Sequence, residues 1–169
     1  MRTSMWFVSL FALAAHAQEA AVPAARTEEN KQLVHRLYET INGGKLEAIH
    51  PLVDDACPGA QGGHGPAAFA APIRALRQAF PDLRYTVEDL VAEGDRVAVR
   101  WNWTGTHEGP FAQYPPSHRK VTNHGMAIFR IKDGRIVASS IQTDRLGFLQ
   151  EIGAVSKDVG ARPPPAASK

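Results

Sequence analysis

The sequence predicts an α+β domain, a conical, curved antiparallel sheet wrapped around N-terminal helices. Three observations carry this expectation. Between Arg96 and Asp144, three runs alternate apolar and polar residues, the pattern of strands buried on one face. Ahead of them, Leu33, Val34, Leu37, Tyr38 and Ile41 recur at helical spacing. The helical and strand segments are also segregated along the chain rather than alternating, which separates α+β from α/β architecture.

Taken in order, the chain opens with MRTSMWFVSLFALAAHA. Arg2 supplies a basic start, Met5 to Ala15 is an apolar run too short to span a bilayer, and Ala15-His16-Ala17 fits a small-x-small cleavage site. Residues 1–17 are therefore expected to be a signal peptide cut before Gln18, sending the protein to the periplasm or the medium with no membrane attachment afterwards. Residues 18–26 read as a loose, Ala-rich leader. Thr27 is placed to cap a helix, with Glu28 and Glu29 in its first turn, and Asn42-Gly43-Gly44 stops that helix. A short helix is expected from Leu46 to Val53, disturbed by Pro51.

Asp54 to Gly65 is a Gly-rich loop. It lacks the preceding strand and terminal Lys-Ser/Thr of a phosphate cradle and reads as a lid or rim. Pro66 suits the first turn of a longer helix, whose inner side is Phe69, Ile73, Leu76 and Phe80 and which Pro72 should bend. Leu83 to Ala92 is a strand, and Glu93-Gly94-Asp95 leads into the alternating runs. In the first run, Val97, Val99, Trp101 and Trp103 share one face. The second ends in Ile128, Phe129 and Ile131, and Asp133-Gly134 turns it into the third, Arg135 to Thr143. Asp144 caps a last short helix, Arg145 to Ile152, closed by Gly153. The domain is thus set at residues 27–153, followed by an Ala/Pro-rich tail, 154–169, expected to be disordered.

The net charge of +2 and the lack of a basic cluster argue against nucleic acid as a partner. The histidines are scattered without the close spacing of a ligand pair, so no metal site is expected. Cys57 stands alone, either a free thiol or an intermolecular partner, and the plainer reading is a partly buried small side chain.

The stretches QAFPDLRYTVEDLVAEGDRVAVRW, GTHEGPF, PPSHRKVT, IFRIKDGRIV and LGFLQEIG, in this order, resemble the SnoaL-like polyketide cyclases and bacterial ester cyclases of the nuclear-transport-factor-2-like superfamily. The resemblance implies a homodimeric α+β cone with a small-molecule cavity, no metal and no organic cofactor. It also implies aldol ring closure by acid-base chemistry, from an aspartate three residues before the capping Asp. Carried onto this chain, that position is Ile141, a histidine common two residues earlier is Ser139, and polar pocket positions of the preceding strand are Gly125 and Ala127. Isoleucine exchanges no proton, so the cyclase mechanism is expected to be absent.

The remaining candidates follow from strand parity. His107 continues the parity of Trp101 and Trp103 toward the cone mouth, and is either an acid-base group or a rim histidine bonded to backbone. His64 lies on the Gly-rich rim, and Asp144 is the carboxylate nearest the pocket end of the last strand. Of Asn123 and His124 only one can face inward, and family parity favours Asn123. Tyr38, Trp101, Trp103, Asn123, Phe129, His64 and Ile141 are the expected pocket residues, with His107 and Asp144 as catalytic candidates. Two functions compete: a ligand-binding protein with cofactor-free isomerase, lyase or hydratase chemistry, and a non-catalytic binding or dimerisation module.

Overall fold

The computed structural model describes residues 24–160. The expected signal peptide and most of the leader lie outside these residues. Helix α1 spans Ala24–Asn42, α2 Gly65–Ala79 and α3 Arg145–Glu151. The strands are β1 Arg84–Glu93, β2 Arg96–Thr106, β3 Lys120–Lys132 and β4 Arg135–Thr143, a continuous antiparallel meander in the order β1-β2-β3-β4. This is the α+β arrangement expected, with the helices on one face of the sheet.

Strand parity governs that packing. Val97, Val99, Trp101 and Trp103 on β2 and Val121, Asn123, Ala127, Phe129 and Ile131 on β3 are buried on the inner face. Val34 and Leu37 of α1 pack against them with almost no exposed surface. The Asp133-Gly134 turn has φ of 50° and 73°, the left-handed pair that a tight hairpin needs, and it joins Lys132 to Arg135.

Two expected boundaries move. Helix α1 already includes Ala24, so Thr27 lies within it and does not cap it. The expected helix from Leu46 to Val53 is a single 3-10 turn, Leu46–Ile49, because Pro51 has no N–H to continue it. The freed segment instead bridges β4: Ile136 donates its N–H to Leu52 at 2.9 Å, and Asp54 donates back to Ile136 at 3.0 Å.

Asparagines pin α1 to the sheet at both ends. Asn30 donates to the Gly94 carbonyl. The Asn42 amide does what a strand neighbour would, donating to the Tyr85 carbonyl at 2.9 Å and accepting the Tyr85 N–H at 2.8 Å. Beyond α3, residues 154–160 form turns held to Gln150, whose side-chain amide donates to the Val159 carbonyl. The rest of the expected tail, 161–169, lies outside the described residues.

Candidate functional site

Helices and sheet enclose a cavity of about 250 Å³. Its depth is built from Leu37, Tyr38 and Ile41 of α1, Phe69, Ile73 and Leu76 of α2, Tyr85 of β1, Trp101 and Trp103 of β2, and Asn123 and Phe129 of β3. Its rim is Ala60 and Gln61 of the Gly-rich loop, Ser139, Ile141 and Thr143 of β4, and Arg145 at the start of α3. Tyr38, Trp101, Trp103, Asn123, Phe129 and Ile141 are therefore placed together, as strand and helix parity predict.

Local structure sets each polar tip. Tyr38 lies one helical turn before Asn42, and Asn42 is clamped to Tyr85, so the two tyrosines meet with ring centroids 5.7 Å apart. Neither phenol oxygen hydrogen-bonds another described residue. Burial pushes both phenols far above their ordinary range, with the Tyr85 rise offset in part by the Arg77 guanidinium, so both are held as O–H groups. Asn123 uses its Oδ1 to accept the His124 N–H at 2.8 Å, which leaves the Nδ2 donors for the cavity.

Trp101 packs edge-on against Tyr85 with centroids 5.2 Å apart, and its indole N–H is buried without a partner. The indole fits because its cross-strand neighbour is Gly125. A Cβ there would fall 2.5 Å from Cζ2 of Trp101 and closer still to Cη2. The polar position implied at Gly125 is thus taken over by the indole of the adjacent strand.

His107 is placed differently from the expectation. It is fully buried rather than at the mouth, and it lines no part of the cavity. The chain leaves the strand after Thr106, so strand parity no longer applies: the His107 N–H donates to the Arg119 carbonyl, and the His107 carbonyl accepts from His118. The imidazole stacks on Phe80 with centroids 4.9 Å apart, and Phe80 itself lies behind Trp103 and Phe148. Nδ1 accepts the Ser117 N–H at 3.2 Å, which sets the neutral ring's proton on Nε2, and Nε2 has no partner. Burial holds this imidazole below the usual histidine range, and the nearby His118 adds to the effect.

Asp144 also stands outside the cavity. Its Oδ1 accepts the Gly147 N–H at 2.8 Å and caps α3, and it faces a shallow outer groove beside Glu88, Arg100 and His124. His64 is exposed at the start of α2 and does not line the cavity either. Its loop turns back on itself through a Pro58–His64 bridge and presents Ala60 and Gln61 instead. The reading of the sequence missed Tyr85, Thr143, Arg145 and Phe111. Tyr85 had a legible signal, an aromatic on the alternating face of β1. Phe111 had none; it reaches the cavity through a loop and packs on Phe148 with centroids 5.1 Å apart.

With the geometry in place, the likeness to known proteins is specific. The family profile described as SnoaL-like polyketide cyclase matches residues 31–152. The chain belongs to this family. It is 28% identical over 128 residues to the aklanonic acid methyl ester cyclase DnrD of Streptomyces peucetius, covering 72% of this chain and 88% of DnrD. Among solved structures, TsrD from Streptomyces laurentii superposes with a TM-score of 0.70 at 27% identity, covering 76% of this chain and 97% of TsrD. IdmH from Streptomyces antibioticus gives 0.63 at 29%, covering 73% and 98%. Against this SnoaL-like background, the side chain at the position expected for the family's aspartate is a half-exposed isoleucine on the cavity rim, Ile141.

Proposed function

We propose that this protein binds a small, largely apolar ring molecule in its cone, after export directed by residues 1–17 and as a homodimer paired through the outer sheet face. In this reading it does not close rings by the family's carboxylate-driven aldol chemistry. One observation carries it: among the described residues no His, Asp, Glu, Lys or Cys lines the cavity, so the described wall offers no side chain that exchanges a proton near neutral pH. What lines it instead is aromatic surface with a few polar tips, the make-up of a small-molecule site.

The competing reading, cofactor-free isomerase, lyase or hydratase chemistry, draws support from the unpartnered Nε2–H of His107. That group would need Phe80 and the aromatic wall to open before it met a ligand. The test uses aklanonic acid methyl ester, the molecule in the name of DnrD. Binding is read as quenching of the wall tryptophans and ring closure by chromatography, for the native protein, Ile141→Asp and His107→Ala. The expected result is binding without closure by the native protein. A positioned general base is worth about two to four powers of ten in rate, so any activity gained should appear only with Ile141→Asp. Closure by the native protein that survives His107→Ala would overturn the proposal.

A further inference from the structure

Residues 107–119 leave the sheet between β2 and β3 as an irregular strap, and Phe111 is its contribution to the cavity wall. The near end is tied to α2, because Glu108 and Gly109 both donate to the Ala79 carbonyl. The far end folds back onto His107. Ser117 donates its N–H to Nδ1, His118 donates its N–H to the His107 carbonyl at 3.0 Å, and the His118 ring meets the Glu108 carboxylate at 2.8 Å. Between these ends, Ala112 and His118 have φ of 51° and 55°, a backbone region that residues with a Cβ enter only at a cost. The fastenings thus hold the strap against its own backbone preference.

The fastening at His107 tolerates only the neutral ring. A second proton has to sit on Nδ1, where it faces the Ser117 N–H, and two donors do not bond each other. The Ser117 hydroxyl, 3.1 Å from Nδ1, is able to accept the new proton, but the backbone N–H is then left without a partner. The charge would also fall on a fully buried imidazole stacked on Phe80. The surroundings give it little relief. Glu108 favours the charged ring but is engaged by His118, which opposes it. Asp82 accepts from the Thr106 N–H and hydroxyl, and Lys120 acts on Asp82. The Arg119 guanidinium lies at Gly153, and Phe80 and Phe148 bring no charge from the helices.

We propose that residues 110–118 form an acid-released strap on the cavity: when His107 gains its second proton the Ser117 fastening breaks, the strap relaxes, and Phe111 leaves the wall. The consequence for a bound molecule rests on the reading of the cavity as a ligand site; the release itself does not. Burial, with His118 adding to it, holds His107 below its ordinary range in the closed strap, so the open strap binds the proton first. Closure is therefore complete above about pH 6.5 and is lost as pH falls toward the closed-state value.

The experiment is amide hydrogen exchange on the full chain, read residue by residue by NMR and divided by the intrinsic rate at each pH. Protection of the Ser117 and His118 amides should stay below that of Val99 and Phe129 in the sheet, because the strap opens without global unfolding. It should hold steady above about pH 6.5 and fall by up to about tenfold per pH unit below it. His107→Asn, which still accepts the Ser117 N–H but does not titrate, should remove the fall. His118→Asn, which suits the left-handed backbone and removes the other imidazole, should keep it, and it carries the test if His107→Asn does not fold. Protection that is flat across the range overturns the proposal. So does a fall that persists in His107→Asn or vanishes in His118→Asn, or Ser117 protection equal to that of the sheet. Each of these results leaves the ligand-site reading standing, since that reading fails only in its own binding test.

Discussion

Replacing Gly125 by alanine tests the packing of the cavity directly. The added Cβ would fall 2.5 Å from Cζ2 of Trp101 and 2.7 Å from the Gln142 carbonyl oxygen. Non-bonded carbons rest at about 3.5–4.0 Å, so the indole has to retreat by more than 1 Å. The backbone contact with Gln142 belongs to the β3–β4 ladder and gives little. Overpacking of this kind costs about 1–3 kcal/mol, and forcing the indole off its rotamer adds about 1 kcal/mol, so the expected destabilisation is about 2–4 kcal/mol. For a domain of this size that lowers Tm by roughly 6–14 °C. Urea and thermal unfolding of the native protein, Gly125→Ala, Trp101→Phe and the double variant would measure it. A phenyl ring reaches less far, so the double variant should recover about 1 kcal/mol or more of the glycine cost, a coupling well above additivity error. A Gly125→Ala variant within about 0.5 kcal/mol of native, or equal costs in both backgrounds, would refute the claim that the missing side chain seats the indole.

Asp144→Ala should lose about 1 kcal/mol through its cap, seen in urea unfolding, with ligand affinity unchanged; a loss of affinity instead would return Asp144 to the site. His107 is held below its ordinary pKa, so the unfolded chain binds its proton first. Its contribution is complete above about pH 6.5 and is lost as pH falls toward the folded-state pKa. His107→Asn, which can still accept the Ser117 N–H, should flatten the stability–pH slope just below about pH 6.5, and an unchanged slope would contradict the assignment. Met126 and Ile128 are 55% and 49% exposed on the outer face. If that face pairs two copies, Met126→Lys with Ile128→Lys should shift a dimer to monomer by light scattering, whereas a native monomer at tens of micromolar, roughly, would remove the proposal.

Strand parity made the sheet legible. From alternation alone, Trp101 and Trp103 face inward, Asn123 parts from His124, and Met126 and Ile128 face out. What escaped were places where local periodicity ends. His107 follows the last residue of β2, and its orientation is set by pairing with the loop around Ser117, Arg119 and His118. Glu88 and Val137 sit at register shifts in β1 and β4, and an extra residue in a ladder re-aims its neighbours without leaving a mark in composition. Arg145 and Gln61 join the rim because distant segments end there, which no window of sequence reports.

Ile141 is 46% exposed, and the second half of β4 is open to solvent. Positions 139, 141 and 143 therefore face the cavity while contributing little to the core, and substitutions there are felt by the ligand before they are felt by the fold. Exposed sites typically change stability by no more than about 0.5 kcal/mol. This edge is consequently an adjustable register on a fixed frame, where a residue could be exchanged for a proton-transferring one and back again without the chain ceasing to fold. A small library at these three positions would explore new chemistry at almost no structural risk.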